Sequence, residues 1–388
     1  MNKLLIKELQ NLKEINLYRR LKSQENLSPT KAIIDGRKVI MFSGNDYLGL
    51  STHPKVKEAA AKACEKYGTS ATAARLISGN HELYKRLEES LGGFKNKEAV
   101  LIYPSGYMAN LGLLGTIAGT SDVIYMDKLN HASLYDGCRL SKANLKRYPH
   151  LDVEQLEKML KNDTDYRKRF IVTDGVFSMD GDLAPLPQLK ELAQKYNCSL
   201  IVDDAHGTGV LGENGQGTAT FLGASPDIEI GTLSKAIGSL GGFVAGSKEL
   251  IDYLINKSRP FIFTTGLPPA TLAASICSLE IIKNESERQK RVLALANKAR
   301  SVLGKTGFKI PQGITPIIPI IVGGEEKALA LANLCFQKGI FIPAVRTPAV
   351  PEKQARLRMT VSAIHSDEEL DKALEVLISS AKELAVID

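Results

Sequence analysis

Nothing in these 388 residues runs apolar for the roughly eighteen positions a helix needs to cross a bilayer. The opening Met1-Asn2-Lys3-Leu4-Leu5-Ile6-Lys7-Glu8 carries charge throughout and has no signal-peptide core. No membrane association and no secretion are therefore expected, and a cytoplasmic location is. Cysteine is scarce: Cys64, Cys138, Cys198, Cys277 and Cys335 are odd in number, far apart and never paired as C-x-x-C. That excludes a disulfide framework and gives no zinc spacing, so no metal is expected. The sequence also lacks internal repeats, low-complexity linkers and any basic block interleaved with aromatics. The net charge of +7 comes from lysines and arginines dispersed among acids, which argues against nucleic acid and suits a polyanionic small molecule.

What remains is ordinary globular composition, 44% hydrophobic and 24% charged, on a chain long enough for two or three domains. Leu4, Leu5, Leu9, Leu12, Ile15 and Leu17 recur near helical spacing, predicting a helix from residue 1 to about 24 that ends on Tyr18-Arg19-Arg20. A strand over 38–42 leads into the turn Ser43-Gly44-Asn45-Asp46-Tyr47-Leu48-Gly49-Leu50, followed by helices over 54–66 and 82–91. From residue 98 short apolar strands alternate with helices: strands over 99–103, 123–126, 170–173, 199–202, 228–230 and 242–245, with helices from 107 and over 186–196. Strands of this kind are buried on both faces, so the reading is α/β, a mostly parallel sheet in three layers with its site at the strand carboxyl ends. One helical stretch, 269–303, leads out of this domain. Strands over 314–322, 340–343 and 356–361, with helices over 325–338 and 367–384, predict a smaller α+β C-terminal domain. The expected division is a helical segment 1–40, a large domain 41–285 and a small domain 286–388.

Several polar groups fall at the ends of predicted strands. Pro104-Ser105-Gly106-Tyr107 opens a helix whose first N–H groups suit a phosphate. Leu129-Asn130-His131-Ala132-Ser133 offers a histidine that stacks on a ring or caps the next helix. Asp203-Asp204-Ala205-His206 crowds two carboxylates and a histidine. Gly207-Thr208-Gly209-Val210-Leu211-Gly212 matches G-x-G-x-x-G in form, but it runs into Glu213-Asn214-Gly215-Gln216-Gly217-Thr218, which has no helical period. A nicotinamide dehydrogenase is thereby disfavoured and the stretch reads as a loop. Lys235, in Thr232-Leu233-Ser234-Lys235, follows a strand into a glycine-rich turn and can form an imine once its amine is unprotonated. A lysine, an acid, a ring-facing histidine and a phosphate cradle together are the requirements of pyridoxal 5'-phosphate.

These motifs, with Phe42 to Leu50, Val176-Phe177-Ser178-Met179-Asp180-Gly181-Asp182 and Ala344-Val345-Arg346-Thr347-Pro348, resemble the α-oxoamine synthases over nearly the whole chain. That family is a branch of the fold-type I pyridoxal-phosphate transferases, which are aspartate aminotransferase-like in fold. The resemblance implies that Lys235 carries the cofactor aldehyde, Asp203 faces the pyridine nitrogen, His206 and Ser178 lie at the ring hydroxyl and His131 stacks on the ring. It further implies Ser105, Gly106, Tyr107 and Thr232 near the phosphate, with Thr264 and Thr265 reaching it from a second subunit, so that the site is shared in a homodimer. Asn45 would lie near the substrate, Arg346 would hold the amino-acid carboxylate, and Arg19, or its neighbour Arg20, would face the distal carboxylate of the acyl chain. The implied reaction is a decarboxylative condensation of L-alanine with a pimeloyl thioester on coenzyme A or a carrier protein. Glycine with acetyl-CoA or succinyl-CoA is the alternative. A non-catalytic scaffold would be favoured only had the lysine been missing.

Overall fold

The computed structural model describes residues 1–15 and 17–388 and divides into two compact units. One comprises Met1–Asn45, Met179–Gly181 and Arg291–Asp388; the other comprises Asp46–Ser178 and Asp182–Lys290.

In the first unit the N-terminal helix is shorter than its apolar stripe predicts, spanning Asn2–Glu14. It buries none of its residues, so only local propensity holds it, and the β-branched Ile15 ends it cheaply. The N–H groups of Leu17 and Tyr18 both turn back to the Leu12 carbonyl, at 2.8 and 2.9 Å. Arg19 and Arg20 are consequently off the helix, exposed in an extended segment. The helix expected to about residue 24 has thus ended early, and from Gln24 three antiparallel strands form: β1 (Gln24–Ser28), β2 (Lys31–Ile34) and β3 (Arg37–Met41), the last being the strand expected over 38–42. The turn between β2 and β3 is Asp35-Gly36, both with positive φ (49° and 78°), the conformation that matches the twist of a two-residue hairpin. Ala32, Ile34 and Val39 form a small core there, joined by Met41, Phe336 and Phe341.

The second unit is built on a seven-stranded sheet: β4 (Ala99–Tyr103), β5 (Val123–Asp127), β6 (Asn144–Tyr148), β7 (Arg169–Asp174), β8 (Ser199–Asp203), β9 (Ile228–Thr232) and β10 (Gly242–Gly246). Its order is β4-β10-β9-β8-β7-β5-β6, and β10 alone runs antiparallel to its neighbours. The three-layer, mostly parallel expectation is met, for separate cores cover the two faces. One gathers Leu101, Leu113, Met126, Ile201 and Val244; the other gathers Tyr125, Leu156, Ile171, Leu189 and Val202. Alternate residues of each strand feed opposite cores, which is why the strands are apolar throughout. β6 was not expected: Asn-Leu-Lys-Arg-Tyr is an edge strand, half exposed, and carries no apolar run. The other edge, β4, is protected chemically, since Glu88 accepts the Ile102 N–H (3.0 Å) and Arg75, paired to Glu88, donates to the Ile102 carbonyl (3.4 Å).

The helix expected over 269–303 is two helices, Pro269–Asn284 and Glu287–Gly304. Asn284 turns its amide onto the Glu280 carbonyl (2.7 Å), the side-chain competition with backbone that ends helices at asparagine. The glycine stretch after Asp204 is a run of turns over 205–212, as its composition indicated. In the first unit the remaining strands are β11 (Ile317–Gly323), β12 (Ile340–Phe341), β13 (Ala344–Val345) and β14 (Ala355–Thr360). β12 lies parallel to β3, and β11-β14-β13 is a separate antiparallel sheet backed by the helix Glu325–Gln337, on which the helix Asp367–Glu383 packs. Among the described residues, no helix is long and apolar enough to cross a membrane.

Candidate active site

The carboxyl ends of β4, β5, β7, β8 and β9 all open into one cavity of about 180 Å³, lined by Ser105, Gly106, Tyr107, His131, Ser178, Asp203, His206, Thr232 and Lys235. Nine residues singled out from sequence thus meet, brought there by five separate strand ends.

At the β4 end, Ser105 caps the helix Gly106–Ile117 by accepting the Met108 N–H (3.2 Å). The N–H groups of Gly106 and Tyr107 precede the helical ladder, so this corner has backbone donors and the positive end of a helix dipole for an anion. Space here is tight: a Cβ on Gly106 would stand 3.3 Å from the Thr232 side chain, and Gly242 is held to glycine because a Cβ on it would strike the Gly106 backbone at 2.5 Å. Thr232 Oγ1 donates to the Gly241 carbonyl (2.9 Å) and lies 2.8 Å from Ser234 Oγ, adding hydroxyls to the same corner. Tyr107 is 43% exposed, hydrogen-bonds Asp136 and sets its ring edge-on to His131 at 6.3 Å.

The opposite side holds the acid. Asp203, only 7% exposed, receives the Asn110 amide on Oδ2 (2.7 Å) and the Ala205 N–H on Oδ1 (3.0 Å). Both donors are neutral. Asp174, also buried in the lining, takes the His131 N–H on Oδ2 (3.1 Å), while its Oδ1 has no hydrogen-bond partner. Burial, reinforced by the Asp203 carboxylate, pushes Asp174 well above the usual carboxylate range. His131 caps the helix Ala132–Ser141 through the Ser133 N–H, as one of its two readings expected, and it also lines the cavity. Burial lowers its pKa, and the Lys235 charge adds to that against the opposing pull of Asp203.

His206 Nδ1 lies 2.7 Å from the Tyr47 hydroxyl, both groups being buried. Lys235 is half-buried in the loop between β9 and β10, where Gly238 N–H donates to the Lys235 carbonyl (2.8 Å). Gly238 has φ of 69°, and a Cβ on it would come within 2.4 Å of the Ser51 nitrogen, so the loop that presents the lysine tolerates glycine alone at that point. The adjacent Asp204 turns away from the cavity. It meets Lys95 Nζ (2.9 Å), Thr208 Oγ1 (2.9 Å) and Thr218 N (3.1 Å), and Lys95 also pairs with Glu229 (2.7 Å).

Five predicted residues are not in this lining. Thr264 and Thr265 lie in the segment after the short helix Arg259–Ile262, where Thr265 bridges to Ala74. Arg19, Asn45 and Arg346 belong to the other unit, in which Arg358 donates to Asn45 Oδ1 (3.3 Å). Conversely, Tyr47, Asn110, Ser133 and Asp174 act at the cavity without having been singled out. Asn110 left a trace in the sequence as the polar residue in the apolar run Met108-Ala109-Asn110-Leu111-Gly112-Leu113-Leu114. Pyridoxal phosphate fits the donor set. The cavity holds an amine, an acid with two neutral donors, two histidines and an anion corner.

Comparison with known proteins agrees with this chemistry. Residues 37–377 match the family model for aminotransferase class I and II. The chain is 46% identical over 386 residues to 8-amino-7-oxononanoate synthase of Thermoanaerobacter pseudethanolicus, covering 98% of each. In three dimensions it is similar to the serine palmitoyltransferase of S. paucimobilis solved with bound PLP, with a TM-score of 0.94 at 29% identity over 99% of this chain and 98% of that one. It is also similar to the 8-amino-7-oxononanoate synthase of Francisella tularensis, with a TM-score of 0.78 at 29% identity over 89% and 98% of the two chains.

Proposed function

The chain belongs to the aminotransferase class I and II family, and from that premise we propose that it condenses L-alanine with a pimeloyl thioester, releasing carbon dioxide and the thiol and giving 8-amino-7-oxononanoate for biotin synthesis. It is a pyridoxal-phosphate enzyme, an acyltransferase of the α-oxoamine synthase type working in the cytoplasm. The observation that carries the reading is the presence of Lys235, Asp203, His131 and His206 in one cavity beside an anion corner, in a chain 46% identical end to end with a synthase of that name.

When bound, pyridoxal phosphate supplies an aldehyde for the amino group and a cationic ring to take up the electron pair released at the α-carbon. The chain does the rest. Gly106 and Tyr107 N–H with the Ser105 and Thr232 hydroxyls hold the phosphate, joined by Thr264 and Thr265 of a second copy, so that the working unit is a homodimer. Asp203 would keep a proton on the ring nitrogen, His131 would stack on the ring, and His206 and Ser178 would hold the ring hydroxyl. Lys235 would hold the cofactor aldehyde at rest and, once its amine is free, would take the α-proton at Nζ and later return it. Arg346 takes the alanine carboxylate until it leaves as carbon dioxide, Asn45 lies beside the substrate, and Arg19 meets the far carboxylate of the acyl chain.

The test is release of free coenzyme A over a matrix of alanine, glycine and serine against acetyl-, succinyl-, pimeloyl- and palmitoyl-CoA. Each buried methylene contributes about 0.8 kcal/mol and a hydrogen bond to the distal carboxylate roughly 1.5–3 kcal/mol. Alanine with pimeloyl-CoA is therefore expected to exceed alanine with acetyl-CoA by several orders of magnitude in kcat/KM. If serine with palmitoyl-CoA, or glycine with acetyl-CoA, turned over best, the substrate assignment would fall while the lysine chemistry stood.

A further inference from the structure

Four side chains, the first three of them buried, run in an unbroken line from Asp203 through Asn110 and Ser133 to His131 at the cavity wall. Asp203 Oδ2 receives Asn110 Nδ2 at 2.7 Å; the same nitrogen donates to Ser133 Oγ at 2.8 Å; and Ser133 Oγ lies 2.7 Å from His131 Nδ1. Asn110 is 2% exposed and Ser133 is 0% exposed, so water is kept from the two inner contacts, while the one to His131 is partly buried.

The direction of every bond follows from the first. A carboxylate can only accept, so the Asn110 amide must turn its nitrogen toward Asp203; reversed, it would press two oxygens together. The second amide hydrogen then falls on Ser133 Oγ. A hydroxyl has one proton, and with a donor already on its oxygen it gives that proton to His131 Nδ1. The Ser133 N–H points at the same ring nitrogen from 3.3 Å. With two donors aimed at it, Nδ1 must be the lone-pair nitrogen and the ring proton must sit on Nε2.

We propose that Asn110 and Ser133 form a relay through which the Asp203 carboxylate sets the tautomer of the neutral His131 ring, with its proton on Nε2. Both are positioning residues, and the proposal rests on reading the cavity as a pyridoxal phosphate site. The consequence is electrostatic: a neutral ring lies against a cationic one without charge repulsion, and its remaining nitrogen is a donor. Burial and the nearby Lys235 charge act in the same direction, opposed by Asp203 and Asp136. Asn110 Oδ1 is buried without a hydrogen-bond partner. The side chain is therefore retained at a cost, and the two bonds made by its nitrogen are the compensation.

The experiment is two-bond proton–nitrogen correlation NMR on cofactor-loaded protein labelled with nitrogen-15 at histidine, with the His131 signals assigned by their loss in His131→Asn. Between pH 6 and 8 the wild type is expected to show Nδ1 unprotonated and Nε2 protonated. Ser133→Ala should raise the Nδ1-protonated fraction at least about threefold. Asn110→Ala should do the same and also weaken cofactor binding about tenfold, the loss of one charge-assisted bond. A wild-type Nδ1 that carries the proton overturns the relay, as do variants that leave the His131 signals in place. The wild-type spectrum decides this even if neither variant folds. A protein that never gains a borohydride-sensitive visible band would instead overturn the site reading. A normal band with Nδ1 protonated overturns the relay alone.

Discussion

Asp203 and Asp204 are adjacent, both buried, and have opposite surroundings. Asp204 meets Lys95, two hydroxyls and a backbone N–H, so the chain itself completes its charge. Asp203 has two neutral donors and faces the cavity, where the proposed reaction has it meet the ring nitrogen of the cofactor. One carboxylate stabilises the fold, and the other is held ready for a ligand. Lys95 makes the same point: burial works against its charge, yet Asp204 and Glu229 hold its pKa above the ordinary lysine value. A side chain as isolated from water as these is explained by its partners, and where a partner is missing a ligand is implied.

That contrast can be broken most decisively at the cavity itself. Lys235→Ala should lose the borohydride-sensitive visible band and at least roughly 1000-fold in turnover, while its thermal midpoint without cofactor stays near wild type. Next comes the carboxylate pair. Asp203→Asn should cost roughly 30- to 1000-fold in kcat, the equivalent of about 2–4 kcal/mol, with stability nearly intact. Asp204→Asn should show the reverse, a stability loss on the order of 3 kcal/mol in urea because Lys95 loses a partner, with far smaller damage to kcat. Equal kinetic damage from the two would show that they act as one unit.

A smaller effect concerns His150, clamped between Asp127 (3.0 Å) and Asp182 (2.9 Å). Burial alone would lower its pKa, but the hydrogen bonds and charges of both acids outweigh that and raise it to about 9. A raised histidine pKa contributes stability that is complete below the unfolded value near 6.5 and is lost as pH climbs through the folded value. The wild type should therefore lose about 1–2 kcal/mol between pH 6 and pH 9.5, allowing for partial exposure. In His150→Gln that slope should flatten; a slope unchanged in urea titrations would remove the clamp. The smallest expected effect separates two helix caps. Ser105→Ala and Ser247→Ala each remove a cap bond, to Met108 N and Leu250 N, and each should cost about 1 kcal/mol of stability. Only the first should also weaken cofactor binding.

Legibility differed by region for physical reasons. The central strands were readable because a sheet covered on both faces demands unbroken apolar runs. The edge strand β6 and the strands β1 and β2 were not, although β3 was read and Asp35-Gly36 before it is a hairpin signal in its own right. The N-terminal stripe of leucines suggested a longer helix than forms, because periodicity records what could be buried and nothing in Asn2–Glu14 is. At the cavity, lysine, acid and histidines were recognisable as reactive types at strand ends. Asn110 and Asp174 were not, since neither is reactive alone and each matters only through the atom it touches.

By itself, then, the order of residues determined the alternation of strand and helix, the turns that end the strands and the chemical types those turns carry, since all of these depend on neighbours within a few positions. Which aspartate of the pair faces the cavity, which nitrogen of His131 is free to accept, and which polar residue connects them were decided only by the tertiary structure. Those outcomes depend on distances of under 3.5 Å between residues as much as 93 positions apart, and local sequence does not encode such distances.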